Sequence, residues 1–191
     1  MKKLNMMLWA VAGILALHSC QNNNSSENSE TSDSTLDSMN NSTALMNESD
    51  KDEDSNQFMK KAAAGGIMEV KAGNLALQNA SDENIKAVAK MIVADHEVAN
   101  KELQAIATKN NVLLPTELPA DKQEHLDKMK NLKGKDFDGY YLQMMREDHM
   151  NDIALFKESA SSSRSKEVRN FAAKTLPVLE KHAKELEKIS L

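Results

Sequence analysis

The chain has 191 residues, of which 28% are charged and 4% aromatic, and its formal net charge at pH 7 is −5. Over residues 57–191 the acidic and basic side chains nearly balance, and no cluster of Lys and Arg stands out. A near-neutral domain without a basic patch argues against nucleic acid as a partner.

Residues 1–19 have the pattern of an export signal. Two lysines near the start precede the apolar stretch LNMMLWAVAGILAL, which is too short for a bilayer-spanning helix of about 20 apolar residues. The stretch ends in LHSC, which resembles the bacterial lipobox, and Cys20 is the only cysteine of the chain. We therefore predict a lipoprotein signal peptide over residues 1–19 and lipidation of Cys20, whose acyl chains would anchor the protein to the membrane.

Residues 20–56 contain little that a protein core could bury. After the cysteine, Ser, Asn and acidic side chains dominate, with nine Asp or Glu residues against one Lys. This composition is typical of a disordered tether. Gln21, rather than an Asp, follows the cysteine, which resembles a signal for sorting to the outer membrane. The sequence thus predicts a lipid-anchored protein of the cell envelope, on the outer membrane and facing the periplasm or the cell surface.

Residues 57–191 are predicted to form one all-α domain, because Ala, Leu, Met, Lys and Glu dominate while Gly, Pro and aromatic residues are scarce. The hydrophobic pattern predicts long helices at about 57–80, 82–110, 136–161 and 165–189. Two prolines and a glycine interrupt the segment between the second and third of these, which leaves room for one short helix. Two helical hairpins joined by such a crossover are typical of a ferritin-like four-helix bundle, and an extended up-down array is the alternative topology.

Each long helix carries one ionisable residue on the apolar stripe that should face the bundle interior. In chain order these residues are Glu69, His96, His149 and His182. Counting about 1.5 Å per residue from the nearest hairpin turn places Glu69 and His96 at about 18 and 22 Å. The same count places His149 at about 21 Å and His182 at about 28 Å, so His182 is the outlying member.

An Asp stands directly before His in two similar segments, MIVADHEVANKEL and MMREDHMNDIALF. These are Asp95 before His96 and Asp148 before His149. Adjacent residues of a helix point about 100° apart, so each Asp is expected to pair with a group on a neighbouring helix. Asp138, in the segment FDGYY, is expected to cap the start of the third long helix.

The segments AAAGGIMEVKAGNLALQNAS, MIVADHEVANKEL, FDGYYLQMMREDH, IALFKESA and FAAKTLPVLEKHAKEL together resemble a bacterial envelope family, the domain of unknown function 4142. Members of this family are commonly described as outer membrane proteins and are grouped with the ferritin-like folds. The resemblance covers residues 58–186 and implies a helical bundle in an exported or lipid-anchored context, without an established activity. The matching ionisable positions are Glu69, Asp95, His96, Asp138, Asp148, His149 and His182.

Two familiar kinds of enzyme site are not indicated. Ferritin-like di-iron proteins carry a Glu-x-x-His pair on each of two helices, whereas Val93, Arg146 and Leu179 stand three residues before the histidines. Nucleophilic catalysis has no basis in residues 57–191, which contain no Cys, no Gly-x-Ser-x-Gly elbow and no Gly-rich phosphate loop. The sequence therefore predicts no catalytic residue.

Two interpretations of the interior ionisable residues stay open. In the first, Glu69 and the three histidines bond to one another as a polar layer that sets the register of the helices. In the second, they hold a single transition-metal ion such as zinc, copper or iron, with Asp95, Asp148 and Asp138 supporting the ligands. The buried methionines are expected to fill the core rather than to bind copper. We favour a structural or interaction module as the function, with a periplasmic metal-binding module as the alternative.

Overall fold

The structure is a computed structural model, and it describes residues 41–191, with side chains from Glu53 onward. The signal peptide, Cys20 and the first part of the predicted tether lie outside the described residues. Five α-helices and no strand occur in the described part. They are α1 (Asn41–Asn79), α2 (Glu83–Lys109), α3 (Ala120–Lys130), α4 (Gly134–Ser162) and α5 (Lys166–Glu187).

The bounds of α2, α4 and α5 lie within a few residues of those that the sequence predicts, but α1 begins at Asn41 rather than near residue 57. The packed part of α1 already includes Ser55, which is 3% exposed and hydrogen-bonded to Ser163 at 2.8 Å. Once a packed helical turn exists, adding one more residue to the helix costs little free energy. A polar sequence can therefore continue the helix toward the N-terminus. Composition alone therefore placed the start of the helix too late.

Side chains cap the starts of two helices in the expected way. Asp82 precedes α2, and its carboxylate accepts hydrogen bonds from the backbone N–H groups of Asn84 and Ile85 at 2.7 and 3.2 Å. Ser165 likewise accepts a hydrogen bond from the backbone N–H of Val168 at the start of α5. Both helix starts thus use the short polar side chains that favour this position.

Asp138 does not cap its own helix. Its buried carboxylate instead accepts hydrogen bonds from the backbone N–H groups of Ser81 and Asp82, at 3.0 and 3.1 Å, and from the Ser81 hydroxyl. These donors belong to the turn between α1 and α2. The prediction that Asp138 caps the third long helix is wrong, because the free backbone donors within its reach belong to the adjacent hairpin.

Contacts at the two ends of the bundle establish how the helices run. At one end, Ser55 of α1 bonds to Ser163, which follows α4. At the same end, Lys109 at the end of α2 pairs with Glu167 at the start of α5. At the other end, Asp138 in the first turns of α4 binds the α1–α2 turn. Helices α2 and α4 therefore start at the same end, and the crossover that contains α3 must return along the bundle.

This arrangement confirms the ferritin-like four-helix bundle and excludes the up-down array. Helix α1 packs against α2 and α4, and α5 packs against α4 and α2, so the two hairpins share one interior. The short helix α3 lies against α1 and α4. Among the described residues, no helix has an apolar stretch long enough to cross a bilayer.

Two apolar clusters fill the interior, with a layer of polar side chains between them. The cluster next to the α1–α2 turn includes Met68, Ile85, Ile92, Phe137, Tyr141, Met145 and Leu186. The cluster at the opposite end includes Phe58, Leu103, Phe156, Phe171 and Leu179. The residues that separate these clusters along the helices are Glu69, His96, His149 and His182, each 6% exposed or less. The fold thus places its buried ionisable residues in one layer near the middle of the bundle.

The position of Asp138 generates a prediction about stability. Asp138→Ala should destabilise the protein by about 1–3 kcal/mol, because it removes the shared acceptor of the partly buried backbone donors of the α1–α2 turn. Asp136→Ala, which removes an exposed carboxylate two residues earlier on α4, should change stability much less. Urea denaturation of the two variants measures the difference. Equal midpoints would show that the link between α4 and the turn contributes nothing.

Candidate metal centre

Three histidines from three helices meet in the polar layer. The ring centroids of His96 (α2), His149 (α4) and His182 (α5) are 6.0, 5.5 and 5.4 Å apart in pairs, so they form a nearly equilateral triangle. One nitrogen of each ring lies within 4.8 Å of one nitrogen of each of the others. The three residues are 6, 0 and 0% exposed, respectively. The packing thus concentrates three potential ligand atoms in a small buried volume.

His182 is a full member of this group, although the spacing along the helices placed it deeper than His149. The structure ends α4 at Ser162 and begins α5 at Lys166, which reduces the two depths to about 20 and 24 Å. Side chains on a helix also tilt toward its N-terminus. In this antiparallel pair the tilt moves the ring of His149 away from the turn and the ring of His182 toward it, which closes the remaining gap.

Each imidazole has one nitrogen that faces an oxygen acceptor. Nε2 of His182 lies 2.9 Å from a carboxylate oxygen of Asp95, and Nδ1 of His149 lies 3.0 Å from the backbone carbonyl oxygen of Met145. Nδ1 of His96 lies 3.0 Å from Oε2 of Glu69, at ion-pair distance but without hydrogen-bond alignment. For His182 and His149 these acceptors favour a proton on the nitrogen that faces them, which leaves the other nitrogen of each of these two rings as a lone pair.

The other nitrogens have no such acceptor. Nε2 of His149 lies 3.3 Å from Nδ1 of His182, and Nε2 of His96 is buried without any hydrogen-bond partner. A buried polar atom without a partner is costly, and it marks the place where a ligand can bind.

Burial lowers the pKa of all three imidazoles below the ordinary value for histidine. Nearby carboxylates offset part of this effect, chiefly Asp152 for His96, Glu69 for His149 and Asp95 for His182. The direction of the pKa shift nevertheless stays downward for each ring. At neutral pH the three rings are therefore neutral, as a metal ligand must be.

A second group lies beside the histidines and consists of three carboxylates. One oxygen each of Glu69, Asp148 and Asp152 lies within 4.8 Å of one oxygen of each of the others. Lys122 of α3 pairs with Asp148 at 2.8 Å. Burial raises the pKa of Glu69 to about 7 and that of Asp152 to about 8, with the other carboxylates nearby adding to the effect. Tyr141 also has its pKa raised by burial, and its hydroxyl is buried without a partner.

The structure brings together most of the residues that the sequence singled out. Asp95 of α2 contacts His182 of α5, and Asp148 of α4 contacts Lys122 of α3. Each Asp thus pairs with a side chain on a neighbouring helix, as expected. Glu69 lies next to His96 and His149 but groups with the carboxylates rather than with the converging nitrogens. Asp138 lies at the α1–α2 turn, away from the histidines.

Sequence reasoning missed Asp152 and Lys122. A signal for Asp152 was present, because it stands three residues after His149 and therefore shares its face of α4. Gly65 of α1 was a second signal: a Cβ at that position would lie 2.9 Å from Oδ2 of Asp152, so the glycine makes room for the carboxylate. No comparable signal indicates Lys122, which reaches the group only through the path of the crossover.

The raised pKa values of the carboxyl groups generate a prediction for the metal-free protein. Above about pH 7.5 the imidazoles are almost entirely neutral in both the folded and the unfolded state, because the ordinary pKa of histidine is about 6.5. Glu69 and Asp152, whose pKa values are raised to about 7 and about 8, still bind protons there in the folded state but not in the unfolded state, so stability should fall as the pH rises from about 7.5 to about 9. Urea denaturation at a series of pH values, with chelator present, measures this slope.

Asp152→Asn should flatten the decline, whereas Asp136→Asn, at an exposed position of the same helix, should leave it unchanged. Stability that stays constant or rises over this pH range would contradict the assigned direction of the pKa shifts.

Comparison with solved structures supports the fold. A DUF305 protein from Streptomyces coelicolor has a TM-score of 0.58 at 15% sequence identity, over 68% of this chain and 85% of that one. A DUF305 fragment from Deinococcus radiodurans has a TM-score of 0.63 at 10% identity, over 70% of this chain and 93% of the fragment. At such low identity the likeness concerns the fold alone. A comparison with curated proteins gives no match.

A protein-family model described as "Domain of unknown function (DUF4142)" matches residues 40–189. The matched span contains all the helices described above and every member of the histidine and carboxylate groups. The resemblance seen in the sequence motifs is thereby confirmed, and the chain belongs to the DUF4142 family.

Proposed function

We propose that this protein binds a transition-metal ion through His96, His149 and His182. The ion would lie in the interior of the bundle, held by one ligand from each of α2, α4 and α5. In this proposal the lipidated Cys20 and the acidic tether hold the binding domain at the cell envelope, on the outer membrane. The proposal names a binding function and assigns no catalytic step.

The observation that carries the proposal is the pair of nitrogens on His149 and His182 that face each other at 3.3 Å. If the N–H of His182 donates to Asp95 and that of His149 donates to Met145, the two facing nitrogens are both lone pairs. Two lone pairs at this distance repel each other. A proton between them would require a charged imidazolium, and burial disfavours that state.

A metal cation removes this conflict. Two nitrogens that are each about 2.0–2.1 Å from a tetrahedral zinc ion lie about 3.3–3.4 Å apart, which agrees with the observed separation. Nε2 of His96, which has no hydrogen-bond partner, supplies the third ligand. Neutral imidazoles suit zinc, copper, iron and nickel, and three of them leave a fourth position for water or another ligand.

The oxygen acceptors take the supporting role that the sequence had suggested for the aspartates. Asp95 and the carbonyl of Met145 hold the outer N–H groups, which fixes the tautomer and the ring orientation of two ligands. Glu69 contributes negative charge near His96 and His149 rather than a ligand to the same ion. The methionines next to this layer, such as the fully buried Met145, belong to the apolar core.

The sequence favoured a purely structural polar layer, and the arrangement weighs against it. A hydrogen-bonded layer of neutral rings needs a donor opposite every acceptor. With the N–H groups directed at Asp95 and at the Met145 carbonyl, the contact between His149 and His182 would have a lone pair on both sides. The metal-binding interpretation, which was the alternative in the sequence analysis, needs no hydrogen-bond donor at this contact.

Elemental analysis and calorimetry test the proposal. The purified, untagged protein should bind one equivalent of zinc, and a chelator should lower its melting temperature, because the binding free energy adds to the stability of the fold. His96→Ala and His149→Ala should each abolish both effects. His125→Ala is the matched control, since His125 is an exposed histidine of α3 that bonds only to Tyr140.

A metal-free protein whose unfolding transition does not move with added zinc, copper or iron would overturn the proposal. The histidine variants would then still lower the melting temperature, as expected for a structural layer.

A second prediction tests the supporting role of Asp95. Asp95→Ala should weaken metal binding by about 10–100-fold, the usual cost of removing the partner of a metal-bound histidine. Glu97→Ala removes an exposed carboxylate two residues later and should leave the affinity unchanged. Competition titration against a fluorescent zinc chelator gives both affinities. An unchanged affinity in Asp95→Ala would mean that His182 is oriented by packing alone.

A further inference from the structure

We propose that Glu69, Asp148 and Asp152 form a second cation site, selective for a hard divalent ion, in which the ammonium group of Lys122 takes the place of the ion when no metal is bound. The proposal goes beyond the histidine site, because it uses a separate set of ligand atoms and a different class of metal. It does not depend on whether the histidines bind a metal.

The three carboxylates come from two helices and converge beneath the surface. Glu69 on α1 is 0% exposed, Asp152 on α4 is 9% exposed, and the side chain of Asp148 on α4 is 13% exposed. One oxygen of each lies within 4.8 Å of one oxygen of each of the others. Like charges at this distance repel strongly in a buried site, so the group calls for a compensating positive charge.

Several oxygens of this group lack a hydrogen-bond partner within the protein, which indicates that a bound ligand supplies part of the positive charge. Both carboxylate oxygens of Glu69 are buried and accept no hydrogen bond, although two histidine nitrogens lie at 3.0 and 3.2 Å. Oδ2 of Asp148 is also buried without a partner. A metal ion can bind several such oxygens at once, whereas a shared proton satisfies only one pair.

Lys122 supplies one positive charge at the edge of the group. Its Nζ lies 2.8 Å from Oδ1 of Asp148. Burial alone would lower the pKa of Lys122, but Asp148, Asp152 and Glu69 together raise it, so the side chain remains an ammonium ion. Lys122 brings a single positive charge to three carboxyl groups. A divalent ion brings two, so it can compete with the ammonium group for these ligands.

A cavity connects this group to the solvent. It has a volume of about 670 Å³ and is lined by Lys122 and Asp152 together with apolar residues of the crossover, such as Leu114 and Pro115. Lys60 and Lys61 also line the cavity, so an ion that enters it passes several ammonium groups before it reaches Asp152. Lys122 has a flexible four-carbon stem, so it can swing away from Asp148 without any movement of the bundle.

The ligand chemistry selects the kind of metal. Carboxylate oxygens suit Mg²⁺, Ca²⁺ and Mn²⁺, whereas the neighbouring imidazoles suit zinc, copper or iron. The two groups would thus sort metals by ligand type within one polar layer. Mn²⁺ is the natural probe, because it prefers oxygen ligands and its electron paramagnetic resonance signal changes on binding.

Titration with Mn²⁺, followed by electron paramagnetic resonance on the intact purified protein, tests the site. The wild-type protein should bind one equivalent, and Asp152→Asn should lose this binding while circular dichroism shows that it remains folded. Lys122→Gln should bind Mn²⁺ about tenfold more tightly or better, because it removes the competing ammonium group. Lys130→Gln is the matched control, since Lys130 is an exposed lysine of the same helix that pairs with Asp127.

The outcomes separate this inference from the proposed function. His182→Ala should abolish zinc binding at the histidines and retain Mn²⁺ binding at the carboxylates. Lack of Mn²⁺ binding in both the wild type and Lys122→Gln at millimolar metal would overturn the second site, whatever zinc does. Retention of full Mn²⁺ affinity in Asp152→Asn would overturn it as well. If Asp152→Asn does not fold, the comparison of Lys122→Gln with Lys130→Gln decides alone, and equal affinities would reject the site.

Discussion

The burial of titratable side chains between two apolar clusters is the constraint on which the rest of this structure depends. Each of the four long helices places at least one such residue in the same layer, where water cannot satisfy it. The helices must therefore keep a register in which every nitrogen and oxygen of the layer meets a partner or a ligand. Asp95 for His182 and the Met145 carbonyl for His149 are the partners that the protein supplies.

The nitrogens and oxygens that lack a partner within the protein determine which ligands the layer can bind. Neutral imidazoles converge on one point, and carboxylates converge on another, with Glu69 adjacent to both groups. Burial pushes the pKa values of the two kinds of group in opposite directions, lowering those of the histidines and raising those of Glu69 and Asp152. Both shifts reflect the same cost of charge in a dry interior, which favours the neutral form of each group.

The topology determines which groups can take part. Because α2 and α4 start at the same end, the crossover must return along the bundle, and this path brings α3 against α1 and α4. Lys122 therefore reaches Asp148 from outside the four-helix core. In a simple up-down array the connection would be a short turn, and no ammonium group would lie over the carboxylates.

The sequence by itself determined the all-α class, the four long helices, the family and the four interior ionisable residues, because helical period, caps and composition are local properties. It did not determine the start of α1, the target of Asp138, or the roles of Asp152 and Lys122. These depend on contacts between residues far apart in the chain, which no local pattern encodes. Only the tertiary structure brought His182 level with His149 and separated Glu69 from the converging nitrogens, since side-chain tilt and helix packing decide which atoms meet.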